Sequence, residues 1–132
     1  MMPQPEWTIN DGWILMSAFV VNGDSGATLP ELIGAADMMN HAIPTKGELS
    51  RALTRLARAG VISINAERFV IASKWIPEIE KARSGKGGLF GLPEKGKKWL
   101  ARNEFAAIET SITITDEDLT DAVAAYHKML KQ

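Results

Sequence analysis

Apolar residues recur at helical spacing in several stretches of the chain, and three of these stretches open on the same local signature. Thr28-Leu29-Pro30-Glu31, Thr45-Lys46-Gly47-Glu48 and Thr115-Asp116-Glu117-Asp118 each place an acid three residues after a threonine, the pattern of a helix-capping box. After Thr28, residues Leu32, Ile33, Ala36 and Met39 fall on one face. After Thr45, Leu49, Ala52, Leu53 and Leu56 do the same, and Gly60 supplies a stop. Residues 11–21 are apolar all round, so periodicity alone does not separate helix from strand there. Their Met, Leu and Ala content predicts a helix, capped by Asn10 or Asp11.

From residue 61 the pattern changes. Two β-branched or aromatic runs, VISI and RFVI, flank Asn65-Ala66-Glu67 and predict a hairpin over residues 61–72. Ser73 is placed to cap a following helix that carries Trp75, Ile76, Ile79 and Ala82, with Pro77 still inside its first turn. Four glycines in residues 84–91 mark a flexible stretch. A further helix starts near Pro93, with Leu92, Trp99 and Leu100 inward and Lys95, Lys98 and Arg102 outward. Ile112 and Ile114 alternate with Ser111, Thr113 and Thr115 as in a strand. The last helix bears a stripe of Leu119, Ala122, Val123, Tyr126, Met129 and Leu130. Such a stripe needs a partner surface, either the chain's own core or a second subunit. In the second case Leu119, Val123, Tyr126, Met129 and Leu130 are the dimer contacts.

With 132 residues, 45% hydrophobic and 23% charged, the chain has the make-up of one soluble domain. It contains no cysteine, which excludes a disulfide scaffold, a thiolate nucleophile and a cysteine zinc site, and fits a cytoplasmic location. The longest apolar run, residues 13–21, is too short to span a bilayer. Glu6 and Asp11 precede it where a secretory leader carries basic residues. The expectation is a soluble protein with no cleaved leader and no membrane partner.

Charge sharpens the picture. The formal net charge is −1, yet residues 1–45 hold five acids and no Lys or Arg, and residues 46–103 hold thirteen Lys or Arg against five acids. Residues 104–132 are acidic again. On a helical wheel for residues 45–59, Gly47, Ser50, Arg51, Thr54, Arg55 and Arg58 occupy the half opposite the leucines. No acid lies between Arg51 and Gly60, whereas a merely solvated face usually mixes signs.

Three helices followed by a hairpin is the winged-helix order. The expected fold is α+β, mainly α: a winged helix-turn-helix over residues 1–103 with a strand–helix extension over residues 104–132. In that arrangement helix 45–59 enters the major groove of duplex DNA. Arg51 and Arg55 would read guanine edges with help from Ser50 and Thr54. Lys46, Arg58 and the wing residue Arg68 would meet phosphates, and Gly47 would let the start of the helix approach closely. The basic flexible stretch 83–93 adds Arg83 and Lys86, and the next helix adds Lys95 and Lys98, as candidate backbone contacts.

Residues 48–62, ELSRALTRLARAGVI, resemble the recognition helix and its exit into the wing in bacterial winged-helix regulators of the MarR and PadR types. Residues 89–100, LFGLPEKGKKWL, resemble the segment just after the wing in those families, with Pro93 where a threonine is usual. The resemblance spans about residues 11–103. It implies sequence-specific duplex DNA binding and transcriptional control, usually as a dimer. Two wings fit: a short one over 61–72, which pairs without help, or an expanded one reaching residue 93.

No enzyme chemistry emerges. His41 and His127 have no second ligand at metal spacing, and Asp116, Glu117, Asp118 and Asp121 fail as a calcium loop because Asp121 stands where glycine is required. The glycines of 84–91 match neither a phosphate-binding loop nor a dinucleotide fingerprint, so no cofactor is expected. Trp7, Trp13, Trp75 and Trp99 read as core residues. The competing reading is a winged-helix module that binds another protein and no DNA. Burial of helix 45–59 by the C-terminal extension would favour it.

Overall fold

A computed structural model describes residues 6–131 and shows a mainly helical protein with one small antiparallel sheet. Helix α1 is Ile9–Val20, α2 Leu29–Asn40 and α3 Lys46–Arg58; strands β1, Ile62–Asn65, and β2, Arg68–Ile71, follow. A 3-10 turn, Ser73–Trp75, leads into α4, Ile76–Arg83, and α5, Leu92–Arg102, precedes the terminal α6, Asp116–Leu130. Thr28, Thr45 and Thr115 each cap a helix in a reciprocal box with the acid three residues on, as their spacing predicts. Two expected caps differ. The cap of α1 is Thr8, with Asp11 as its reciprocal acid, because the box pattern Thr-x-x-Asp already begins there. Ser73 makes no side-chain cap and opens the 3-10 turn instead.

The hairpin is the short one. Ile62 faces Ile71 and Asn65 faces Arg68, and Ala66 and Glu67 form the two-residue turn with φ of 51° and 63°. That handedness matches the twist of the paired strands. Gly60, at φ 76°, ends α3: its own N–H reaches the Ala57 carbonyl and the N–H of Val61 reaches that of Leu56. Ala27 pairs with the far side of β2 through two hydrogen bonds to Phe69, 2.9 and 2.8 Å.

One core runs through all of these elements. Trp13, Ile14, Leu15 and Met16 of α1, Leu32 and Ile33 of α2, and Leu49, Leu53 and Leu56 of α3 are buried in it with Ile71, Ile79 and Leu100. Trp7 and Trp99 are buried and Trp75 half-buried, with Trp75 edge-on to both Trp99 and Phe105. α1 and α5 cross at Gly12 and Gly96, where the two backbones touch without intervening side chains.

The C-terminal extension joins the same core, and it departs from expectation in two ways. Residues 104–115 form no strand; they run extended across α3 as a strap, with Ile112 and Ile114 buried. The period-two alternation is real, but its backbone partners are helix side chains, so no sheet ladder forms. The α6 stripe faces inward: Ala122 and Tyr126 are buried, and Leu119 and Val123 pack against the core. Only Met129 and Leu130, 47% and 63% exposed, remain of the candidate dimer contacts.

Tyr126 locks α6 to α2. Its ring lies where a Cβ on Gly34 would sit only 2.9 Å away, and its hydroxyl donates to Asp37 Oδ2 at 2.8 Å. Burial, then the hydrogen bond to Asp37 and that carboxylate's charge, push the phenol pKa above its ordinary value near 10. The fold therefore favours the neutral phenol. Its contribution is complete below about pH 10 and disappears as pH rises through the elevated folded-state value. Urea unfolding from pH 8 upward should show stability falling in step with tyrosinate absorbance, which here reports a single tyrosine. Tyr126→Phe should remove that step and cost about 1 kcal/mol at neutral pH. No helix among the described residues is long and apolar enough to cross a membrane.

Candidate functional site

The outward face of α3 is where the candidate DNA contacts converge, and most of it is occupied by the chain itself. Ser50, Thr54 and Arg58 stand four residues apart in one column, each step rising about 6 Å along the helix. The strap runs antiparallel to α3, and its alternate residues recur every 6–7 Å or so. The two repeats match. Thr54 Oγ1 donates to the Ile112 carbonyl and accepts from the Ile112 N–H, both at 2.9 Å. Ser50 Oγ accepts from the Ile114 N–H at 2.9 Å. Arg58 Nε donates to the Thr110 carbonyl at 2.8 Å, and the Arg58 carbonyl accepts from Ile108 N–H at 2.8 Å. A helix face of hydroxyls thus takes the place of a neighbouring strand. At the start of α3, Lys46 Nζ lies 3.0 Å from Asp116.

Arg55 is held on the other flank. Its Nε contacts both Asp11 oxygens at 3.2 and 3.1 Å, its Nη2 donates to the Glu6 carbonyl, and its guanidinium lies 5.3 Å from the centre of the Trp7 ring. Asp11 is only 1% exposed and also accepts from the Thr8 N–H, so this ion pair is part of the core wall. In this arrangement the hydroxyls of Ser50 and Thr54 and the Nε and Nη2 of Arg55 are already bonded within the chain, which draws them away from the base-reading role expected of them. Arg51 is exposed and has no hydrogen-bond or ion-pair partner among the described residues, and Gly47 is exposed beside it.

Four of the other candidate cations, Arg68, Arg83, Lys95 and Lys98, are similarly engaged. Arg68 Nη1 donates to the Gly26 carbonyl at 3.0 Å and lies 3.7 Å from Glu31. Arg83 bonds Glu80 at 2.7 Å, and Lys95 Nζ caps the end of α4 through the carbonyls of Arg83 and Ser84, both at 3.2 Å. Lys98 sits 4.0 Å from Glu94, while Lys86 is exposed. The charge segregation along the chain is thus partly satisfied internally, by Asp11 and Asp116 on either side of the basic middle. Sequence pattern alone does not assign Asp11, Ile112 or Ile114 to the site. The matching four-residue and two-residue repeats were the only trace of their role. The N–H and hydroxyl of Thr115 hold the Asp118 carboxyl below its ordinary pKa, which keeps that end of α6 negative.

Two apolar features lie nearby. A cleft of about 400 Å³ between α2 and α6 gathers Val20, Met38, Leu89, Met129 and Leu130, all partly exposed. A groove of about 420 Å³ runs between β1 and the strap, lined by Ile62, Ile64, Ile108 and Ile112 and by no charged residue. Among the described residues no group of three or more His, Cys, Asp or Glu is arranged to hold a metal. No protein family, no curated protein and no solved structure matches this chain.

Proposed function

We propose that the chain is a winged-helix module that binds another protein, with duplex DNA as the second reading. Its topology supports the winged-helix assignment: three helices, a two-residue-turn hairpin, and Ala27 between α1 and α2 pairing with β2. The observation that carries the protein-binding reading is the strap across α3. A fold that reads DNA needs the outer face of its third helix, and here the Ser50–Thr54–Arg58 column bonds residues 108–114. Acids crowd the same end, with Asp116 on Lys46 and Glu48 in the cap, so an approaching phosphate meets like charge. Exposed isoleucines around an uncharged groove suit a protein surface better than a polyanion.

Arg51, free and outward at mid-helix, favours the DNA reading. Fluorescence anisotropy with a mixed-sequence duplex at low salt separates the two. The expected result is no salt-dependent binding by the wild type. Tight binding that falls with salt and is lost in Arg51→Ala would install DNA as the ligand. Binding gained only by Ile112→Asp, which detaches the strap, would make the DNA reading conditional on strap release.

A further inference from the structure

The register of the hairpin decides which backbone groups of β1 are spoken for. Ala72 N–H bonds the Val61 carbonyl, so the bonded pairs of this antiparallel ladder are 61 with 72, 63 with 70 and 65 with 68. The N–H and C=O groups of Ile62 and Ile64 therefore point away from β2. The same alternation puts Phe69 on the far side of β2, where its backbone meets Ala27. Among the described residues no hydrogen bond satisfies the outward groups of Ile62 and Ile64.

Exposed edges in soluble proteins are commonly blunted by lysine, proline, a bulge or a covering element. β1 reads Ile-Ser-Ile-Asn and has none of these. Beside it lies the groove, whose ten lining residues carry no charge and whose polar side chains are the hydroxyls of Ser63, Thr110 and Ser111. Ile64 and Ile108 stand at its walls, 53% and 47% exposed. The opposite wall is the strap, held to α3 by the backbone of Ile112 and Ile114, which turns the N–H and C=O groups of Ser111 and Thr113 away from α3.

Resting on the protein-binding reading above, we infer that the outer edge of β1 accepts an extended segment of a partner protein, paired main chain to main chain and seated between β1 and the strap. Unpaired amides at strand spacing recognise another extended backbone, and the neutral isoleucine walls select branched apolar or aromatic side chains at alternate positions. A phosphate backbone finds no cation among the residues of this groove. The outward N–H of Ile64 is dispensable for the hairpin itself, so Ile64→Pro blocks the edge at a position where proline is compatible with a strand.

The test uses the full chain, immobilised, and a displayed library of random ten-residue peptides. Enriched peptides, remade with a fluorescent label, are expected to alternate apolar and polar residues. Ile64→Pro should weaken their binding at least tenfold. Hydrogen exchange at the Ile62 and Ile64 amides should slow at least tenfold in the saturated complex. N-methylating every second peptide residue in one register should abolish binding to the wild type, while the other register tolerates it, a readout independent of how Ile64→Pro folds. Failure to enrich any peptide, or binding that leaves those two amides unchanged, overturns the inference. If a partner protein binds and the two amides stay unaltered, the edge assignment alone falls. If duplex DNA slows them instead, the protein-binding reading falls with it.

Discussion

Gly12→Ala is expected to cost about 3 kcal/mol or more, and to lower the unfolding temperature by roughly 10–15 °C for a chain of this size. A Cβ on Gly12 would lie 2.2 Å from the Pro93 carbonyl oxygen and 2.4 Å from the Lys97 nitrogen. Both are backbone atoms of α5, so no rotamer change relieves the clash and the helices must separate. Separation opens the contact that buries Trp13, Trp99 and Leu100, and a dry gap there forfeits packing along its whole length. Gly96→Ala meets the same obstacle from the other side, with the Gly12 carbonyl oxygen at 2.6 Å, and should behave alike. Gly47→Ala is the internal control: nothing but the Thr45 hydroxyl lies within 4.0 Å, and alanine is the better helix former, so no loss is expected. Thermal melts of the three variants measure the contrast. Equal stability of Gly12→Ala and wild type would mean that α1 and α5 do not cross where described.

Breaking the Asp11–Arg55 pair should be nearly as costly, about 3 kcal/mol for either single substitution to alanine. Asp11 is 1% exposed and the Arg55 side chain 20%, so whichever charge is left has little water to turn to. Asp11→Ala also removes the reciprocal half of the α1 cap. Replacing both residues by alanine leaves no orphaned charge, so the double variant should lose clearly less than the two single losses combined. Denaturant melts of the four proteins give the coupling directly, and additive losses would deny that the pair acts as a unit. This bears on any DNA assay. Arg55→Ala loses function by loosening the N-terminal wall whether or not Arg55 touches a ligand, so Arg51→Ala is the informative substitution.

Much of the architecture was legible in the order of residues. The capping boxes at Thr28, Thr45 and Thr115 mark three helix starts because the hydroxyl and the acid satisfy backbone groups within one turn, with no help from elsewhere. Gly60 and the pair Ala66-Glu67 mark a helix end and a turn by equally local chemistry. The site was less legible. The polar half of α3 was correctly identified as the face turned from the leucine core, but a helical wheel reports direction about one helix's own axis and nothing about what else arrives there. Thr54 and Ser50 offer the same hydroxyls to a base, to a phosphate or to the backbone of Ile112 and Ile114.

What the sequence determined by itself, then, is where α2, α3 and α6 begin, where the hairpin turns and which side of each helix faces inward, since these depend on interactions spanning one to four residues. The extended strap across α3 was beyond it, because its side-chain partners on that helix lie 52 to 64 residues away. The tertiary structure alone decided which outward groups stay free. Asp11 meets Arg55 across 44 residues, and Thr54 meets Ile112 across 58. Such pairs depend on how the helices cross, at Gly12 and Gly96 above all, and on the coincidence of a helical and an extended repeat. That geometry covers the hydroxyl column of α3, leaves Arg51 exposed and leaves the edge of β1 open. Its physical basis is that a polar face costs nothing to cover when the covering chain replaces every hydrogen bond lost to water.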